Sequence, residues 1–242
     1  MKVSVITTAY NHQNTIKRAI DSVQSQVRVD FEHIILDDTN TKNGMMKTYR
    51  TALRNCSGEY MAFCDGDDYW IDDCKLAEQV KYMDANPDCG LCITKVYKEV
   101  DGELKGMRSA ACVNKNMSFD ALLRGNAYIN AQSYLIRKSD YDKYIDFNFI
   151  ARSFCVWDYP IVLELIQHTR FHCLDFYSAV NVVNSESVTH TKSRIRRLKY
   201  ILGQYKIKIY YIRKYGCKLS TIFYLIYRAV RHIYSIGAKR WI

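Results

Sequence analysis

The chain has 242 residues, 48% of them apolar and 25% charged, a balance typical of a globular protein rather than a disordered one. No segment approaches the roughly 20 apolar residues of a membrane span, and the N-terminal MKVSVITTAYN lacks the pattern of a secretory signal peptide. The nine cysteines are scattered and odd in number, which favours a reducing compartment and predicts a cytoplasmic protein.

The net charge of +10 is concentrated near the C-terminal end of the chain. Residues 187–242 contain 14 Lys and Arg and no Asp or Glu. All 25 acidic residues precede this segment, and there they outnumber the basic ones. The basic balance therefore reflects one segment and says little about the partners of the rest.

Short apolar strands alternate with helices over the first hundred residues. The predicted strands cover residues 3–9, 33–36, 60–64 and 89–96. Helices are predicted from Asn14, over 45–54, and from Leu76 to a stop at Asn86-Pro87. This alternation favours an α/β fold with a mostly parallel, doubly wound sheet flanked by helices.

Polar and acidic residues follow three of these strands. The first strand leads into Tyr10-Asn11, the second into Asp37-Asp38, and the third into the segment 65–68, which reads DGDD. Ligands of such sheets bind beyond the carboxyl ends of the strands. We therefore expect the three segments to converge at one edge of the sheet.

The segment FCDGDD, residues 63–68, places three carboxylates directly after an apolar strand. Asp65 and Asp67 are two positions apart and project to the same side of an extended chain. Hard oxygen ligands of this kind suit Mg2+ or Mn2+, and such an ion neutralises charge on a departing diphosphate. Gly66 lets the backbone approach a ligand closely. The segment predicts a metal and nucleoside diphosphate site, with an exposed acidic turn as the alternative.

The second half of the chain predicts a more mixed set of elements. A capped helix is expected over 118–124, a strand over 128–136, a helix over 157–167 and a strand over 171–183. Pro160 fits the first turn of the third of these elements, where its missing N–H has no partner to lose. After residue 191 the pattern becomes helical, basic and rich in tyrosine.

Three segments together resemble a known family: VSVITTAYN at 3–11, IILDDTN at 34–40 and GEYMAFCDGDDYW at 58–70. Their order and spacing are similar to those of the family 2 glycosyltransferases, which have the GT-A fold, over residues 3–93. The resemblance implies a metal-dependent, inverting enzyme that moves a sugar from a nucleotide-diphosphate sugar, UDP-linked on family grounds, to an acceptor hydroxyl. The Gln-x-x-Arg-Trp signature of many processive members is absent, so we expect a non-processive transferase.

The resemblance also implies a division of the chain. A GT-A catalytic domain is expected over 1–191, with a nucleotide-sugar-binding half at 1–100 and an acceptor-binding half at 101–191. The remaining residues, 192–242, form a basic amphipathic helical tail in this interpretation.

The family pattern assigns donor contacts to the first two strand ends and to the following helix. Thr8, Ala9 and Tyr10 are expected against the nucleotide, and Asp38 against its base. A basic residue before Gly58 helps hold the donor in such enzymes, with Arg50 and Lys47 as the candidates here.

The three carboxylates of the DGDD segment take different roles in the resemblance. Asp65 is expected to face the ribose, with Gly66 beside the ligand, and Asp67 is expected to bind Mn2+ or Mg2+. Asp68 either shares the metal or holds the loop. The alignment leaves open which of Asp67 and Asp68 is the main metal ligand.

An inverting transfer needs a base for the acceptor hydroxyl, and a positioned carboxylate can serve. In the family this base is an aspartate that opens a helix in the second half, and Asp158 fits it. A helix N-terminus is expected to keep Asp158 ionised. Asp175 and Glu164 are weaker candidates, and a plain N-cap is the structural alternative.

The basic tail, 192–242, admits more than one partner. A basic, aromatic, amphipathic helix suits an anionic membrane surface, which would place a cytoplasmic enzyme at the inner face of the membrane. A two-helix cap packed on the domain is the alternative, and no nucleic-acid-reading motif accompanies the charge. The resemblance to the family implies bacterial surface polysaccharide or lipid-linked oligosaccharide synthesis on a saccharide or lipid-linked acceptor. The rival function is an inactive nucleotide- or nucleic-acid-binding module.

Overall fold

The structure is a computed structural model, and it describes residues 1–9, 13–37, 45–106, 117–125, 129–154, 156–183 and 194–237. The first half contains β1 (Val3–Ala9), α1 (Ile16–Gln24), β2 (Phe31–Asp37), α2 (Met45–Asn55), β3 (Tyr60–Phe63), β4 (Tyr69–Trp70), α3 (Lys75–Ala85), β5 (Cys89–Val100) and β6 (Glu103–Gly106). The second half contains α4 (Phe119–Arg124), a 3-10 turn (Ala131–Ser133), β7 (Leu135–Arg137), α5 (Lys138–Tyr144), α6 (Phe147–Ser153), α7 (Asp158–Leu165), β8 (Arg170–Val182), α8 (Arg194–Tyr215) and α9 (Leu219–Gly237).

Within the described ranges, eight strands form one sheet in the order β2-β1-β3-β7-β5-β8-β4, and β6 pairs with β5. β1 is parallel to β2 and β3, and β5 is parallel to β8. β7 lies antiparallel between β3 and β5, and β4 and β6 are also antiparallel to their neighbours. The predicted α/β fold with flanking helices is confirmed, and the sheet is mixed because β7 enters its centre in the opposite direction.

Both faces of the sheet are covered by helices. Successive strand residues point to opposite faces, so Ile6 and Phe63 join the core formed with α2, α7 and α8, while Val5 and Ala62 join the core formed with α1 and α3. Burial on both sides explains why β1 and β3 read as nearly continuous apolar runs.

Two local features follow from backbone geometry. Gly58 lies against β1 just before β3, and a Cβ there would be 2.6 Å from the Ser4 backbone nitrogen, so only glycine allows β3 to approach. Asp101 and Gly102 have φ values of 52° and 81°. Positive φ at both central residues is the geometry of the hairpin turn that Asp-Gly predicts between β5 and β6.

The described cysteines are mostly small buried or half-buried groups. Cys89 and Cys92 are buried free thiols on β5 and pack there as small apolar residues. Cys173 of β8 is disulfide-bonded. The scattered spacing did not predict this bond, because pairing depends on how the fold brings the sulfurs together.

The tail residues 194–215 and 219–237 are helical, as expected. α8 packs on the domain through the buried side chains of Ile207 and Tyr211. In α9, Thr221 is buried and its hydroxyl donates to Asp120 of α4. No helix in the described part of the chain is long and apolar enough to cross a membrane. The domain boundary at residue 192 stays a prediction.

Candidate active site

The ends of β1 and β3 lie side by side, as their place in a parallel pair predicts. The Thr8 hydroxyl donates a hydrogen bond to Asp65 Oδ1 at 3.0 Å. The Gly66 N–H donates to the Thr8 carbonyl at 2.9 Å, so the chain after β3 runs directly against the end of β1. The Asp68 N–H donates to the Asp65 carbonyl at 2.9 Å and closes a turn over residues 65–68, which we call the DGDD turn.

Asp65 is held by a second hydroxyl that the sequence analysis missed. Tyr49 of α2 is only 1% exposed, and its hydroxyl also donates to Asp65 Oδ1. Burial and the neighbouring Asp67 raise the pKa of Asp65 to about 7, while the hydrogen bonds from Tyr49 and Thr8 act to lower it. The sequence offered one indication of this contact: the Tyr49 hydroxyl lies on the apolar face of the predicted helix 45–54.

Of the other residues predicted to bind the donor, some lie within the described part of the chain and some outside it. Ala9 is buried at the end of β1, and Arg50, next to Tyr49 on α2, is exposed. β1 and β2 end together, with Ala9 opposite Asp37 in the register. Tyr10 and Asp38 follow these ends and lie outside the described residues. The contacts of Arg50, Tyr10 and Asp38 with a donor stay predictions.

Asp68 is turned toward β8. It is 5% exposed, and its Oδ1 accepts hydrogen bonds from the Val182 N–H at 2.9 Å and from Asn181 Nδ2 at 3.2 Å. Burial, Asp67 and Asp65 raise its pKa well above the usual range, and the two hydrogen bonds act in the opposite direction. Of the two roles expected for Asp68, these contacts are those of a residue that holds the loop.

The carboxylates of the DGDD turn are oxygen donors of the kind that divalent cations bind. Asp67 raises the pKa of both Asp65 and Asp68, which means that the three groups are close enough to repel one another. A cation relieves that repulsion, and oxygen donors suit Mg2+ and Mn2+. Among the described residues, no group of three or more His, Cys, Asp or Glu side chains is placed so that it could hold a metal ion by itself. Such ions in nucleotide enzymes keep ligand positions for water and phosphate oxygens.

Asp158 is brought to the same region by an aromatic cluster. Trp157, just before α7, is buried and its ring centroid lies 4.3 Å from that of Tyr49 and 4.7 Å from that of Phe63. These contacts fix the start of α7 against α2 and β3. Asp158 is near enough to Asp65 to raise its pKa. The helix N-terminus and the DGDD turn therefore face one site.

Burial acts on Asp158 in addition to the helix N-terminus. It raises the pKa of this carboxyl, and hydrogen bonds from the backbone N–H groups of Asp158 and Tyr159 lower it by less. The expectation that Asp158 stays ionised considered only the helix N-terminus, and it stays a prediction. A carboxylate with a raised pKa binds a proton more strongly, which suits a general base.

The two weaker base candidates are engaged elsewhere. Asp175 is a largely exposed side chain that forms an ion pair with Lys95. Glu164 lies on α7 six residues after Asp158, about 9 Å along the helix axis, and it accepts hydrogen bonds from Lys214 and Tyr215 of α8. Of these three carboxylates, Asp158 is the one that the fold brings next to Asp65.

Comparison with known proteins agrees with this arrangement. Residues 39–145 match the model of the family described as Glycosyl transferase family 2. Over 98% of both chains, the sequence is 27% identical to the Escherichia coli protein named UDP-Glc:alpha-D-GlcNAc-diphosphoundecaprenol beta-1,3-glucosyltransferase WfaP. The chain is therefore similar to the family 2 glycosyltransferases, through the family model over residues 39–145 and through this relative over almost its whole length. The resemblance seen in the sequence is thus confirmed.

Other relatives are matched over only part of their length. An uncharacterised protein of Mycobacterium tuberculosis is 30% identical over 56% of this chain and 47% of its own length. The chain spans about half the length of this relative and of similar mycobacterial ones.

Solved structures confirm the GT-A fold that the family implies. Staphylococcus aureus TarS, crystallised with UDP-GlcNAc, superposes with a TM-score of 0.61 at 14% identity, over 91% of this chain and 77% of that one. The mannosyltransferase PcManGT of Pyrobaculum calidifontis, in complex with GDP-Man and Mn2+, gives 0.59 at 15% identity, over 99% and 76%. At these identities the likeness shows the fold alone.

Proposed function

We propose that the protein is an inverting glycosyltransferase that moves a sugar from a UDP-linked donor to an acceptor hydroxyl. The observation that carries the proposal is the meeting of the DGDD turn with Asp158 at one edge of the sheet. One group would face a nucleoside diphosphate and the other a nucleophile. This is the pair of functions that a single-displacement transfer requires.

The donor would lie along the DGDD turn. Asp65, fixed by Thr8 and Tyr49, would accept hydrogen bonds from the ribose hydroxyls, and the backbone at Gly66 lets the diphosphate approach. Asp67 would hold Mn2+ or Mg2+, while Asp68 anchors the turn to β8. When bound, the ion would neutralise charge on the diphosphate.

The acceptor would approach from the side of α7. Asp158 would take the proton of the acceptor hydroxyl as its oxygen attacks the anomeric carbon from the face opposite the diphosphate. The new bond joins the acceptor oxygen to that carbon, and the bond to the diphosphate oxygen breaks with its electrons on the leaving group. One such displacement inverts the anomeric configuration.

The acceptor class is proposed from a full-length relative. WfaP is named for a UDP-Glc donor and a diphosphoundecaprenol-linked acceptor. We infer a lipid-linked saccharide acceptor for this chain, a role in surface polysaccharide or lipid-linked oligosaccharide synthesis, and a place at the inner face of the membrane. The identity of the transferred sugar is left to the test.

The test follows nucleotide release with UDP-Glc, UDP-GlcNAc, GDP-Man and dTDP-Glc as donors and a GlcNAc-diphospho-lipid as acceptor. Wild type is compared with Asp67→Asn, Asp158→Asn and, as a matched control, the exposed Asp175→Asn. We expect acceptor-dependent release with one UDP sugar, lost in the first two variants, kept in the control and reduced by EDTA. Nucleotide binding with no turnover on any donor would instead support the rival binding module.

A further inference from the structure

The helix α9 presents a continuous apolar stripe to solvent. Exposed apolar side chains recur every three or four residues along it, which places them on one face of the helix. They are Leu219, Ile222, Phe223, Ile226, Tyr227, Val230 and Tyr234, each between 38% and 69% exposed. A single exposed leucine needs no explanation, but a contiguous apolar surface of this length marks an interaction site. We call these seven residues the α9 stripe.

The opposite face of α9 attaches the helix to the domain. Thr221 and Leu225 are buried. Asp120 of α4 accepts hydrogen bonds from the Lys218 N–H at 3.0 Å and from the Thr221 hydroxyl. Arg124 donates to the hydroxyls of Thr221 at 2.9 Å and Ser220 at 2.6 Å. These contacts hold α9 so that its stripe points away from the catalytic domain.

The charged residues that α8 and α9 themselves carry are all basic. Residues 187–242 contain no Asp or Glu. At the edge of the stripe, the Arg231 guanidinium lies 5.8 Å from the ring centroid of Tyr227. The neighbouring helix α8 also carries exposed Lys199 and Arg213. Packing this surface on a second copy would bring two basic segments together, whereas an anionic lipid surface satisfies both the apolar stripe and the cations.

We propose that the α9 stripe is a docking surface for an anionic lipid bilayer, on which α9 lies in the plane of the interface. This choice of partner rests on the proposed function, because a lipid-linked acceptor is presented at a membrane surface. The helix α8, which precedes α9, also contacts α7, the helix that begins with Asp158. Lys214 and Tyr215 of α8 bind Glu164 of α7. The lipid surface would therefore be oriented relative to Asp158.

The experiment is cosedimentation of the full chain with vesicles of phosphatidylcholine containing phosphatidylglycerol, and with vesicles of phosphatidylcholine alone, at low and high salt. The test variant is Phe223→Ser with Val230→Ser. The matched control, Val27→Ser with Leu104→Ser, removes two apolar residues that are exposed elsewhere. Circular dichroism and thermal unfolding establish that all three proteins are folded, and analytical ultracentrifugation gives their oligomeric state.

We expect the wild type and the control to bind the anionic vesicles, and to bind them more weakly at high salt. The stripe variant should have an affinity for these vesicles that is lower by roughly tenfold or more, because two large apolar side chains no longer enter the lipid. Absence of wild-type binding, equal binding to neutral vesicles, or full binding by the stripe variant would overturn the proposal. If the wild type is a dimer, the stripe variant is a monomer and neither binds vesicles, the stripe is instead an interface between two copies of the chain. Because no donor or acceptor is present, failure of glycosyl transfer would not alter this result.

Discussion

Replacing Tyr49 by phenylalanine tests whether the hydroxyls around Asp65 prepare the donor site. The substitution removes one oxygen and leaves the ring, so its packing on Trp157 at 4.3 Å and on Phe63 at 6.4 Å is preserved. Asp65 keeps its hydrogen bond from Thr8 at 3.0 Å but loses the one from Tyr49. The carboxylate then becomes freer to turn under the repulsion of Asp67.

The size of the effect follows from the kind of bond that is lost. A hydrogen bond to a charged group is worth about 1.5–3 kcal/mol, more than the ~1 kcal/mol of a neutral one. Because each 1.4 kcal/mol is a factor of about ten in affinity, we expect Tyr49→Phe to weaken nucleotide binding by about tenfold, with a loss of unfolding free energy of about 1–3 kcal/mol.

The chain offers a matched control in the same aromatic cluster. Tyr134 is also 1% exposed and packs on Phe63, but its hydroxyl donates to the backbone carbonyl of Ile129 at 3.2 Å. Tyr134→Phe should lose about 1 kcal/mol of stability and bind nucleotide as the wild type does. The assay is isothermal titration with UDP and Mn2+ beside urea unfolding. Equal nucleotide affinity in both variants and the wild type would refute a positioning role for Tyr49.

Asp158→Asn keeps the shape of the side chain and should lower the turnover number by roughly 10²–10⁴-fold with unchanged UDP affinity, since only the base is lost; a fall in UDP affinity would argue for a structural role. Asp67→Asn should abolish the gain in UDP affinity that Mn2+ provides. Asp68→Asn should keep part of the increase in UDP affinity that Mn2+ provides, and should lower stability by about 1–3 kcal/mol because an amide nitrogen replaces one buried acceptor. Titration calorimetry and urea unfolding distinguish the Asp67 variant from the Asp68 variant. Burial raises the pKa of Glu164, but hydrogen bonds from Lys214 and two other side chains outweigh it and leave the pKa lowered. A lowered pKa stabilises the fold above the unfolded-state pKa, and this contribution is lost as the pH falls through the folded-state pKa. Because the Lys214 side chain is 41% exposed and solvent screens the pair, Lys214→Met should reduce stability at neutral pH by about 1 kcal/mol and by less in acid, as thermal unfolding across pH would show.

The convergence of the strand ends was predictable from the sequence, because parallel strands of a doubly wound sheet place their carboxyl ends at one edge. Thr8 and Asp65 are 57 residues apart in the chain and share a hydrogen bond for this reason. The pattern also gave the start of α7, since Asp158 and Pro160 are residues of a first helical turn.

Other features depended on contacts that no local pattern contains. The hydrogen bond from Tyr49 to Asp65 could not be predicted, because the residue of α2 that faces the site depends on the rotation of the helix. The hydrogen bonds of Asp68 with Asn181 and Val182 of β8 also required the fold, while its role as a metal ligand stays a prediction. Likewise, the antiparallel entry of β7 follows from the packing of the whole sheet rather than from its three residues.

The helix α7 links the proposed base, Asp158, to the tail. Asp158 begins the helix, and Glu164 near its other end is compensated by Lys214 and Tyr215 of α8. Removing the partners of the largely buried Glu164 leaves its charge uncompensated, so deletion of residues 192–242 would disturb the helix that carries the proposed base even if the tail never met a membrane. A truncated chain therefore cannot separate a docking role from a structural one. Substitutions on the exposed α9 stripe can, because they leave Glu164 and its partners in place.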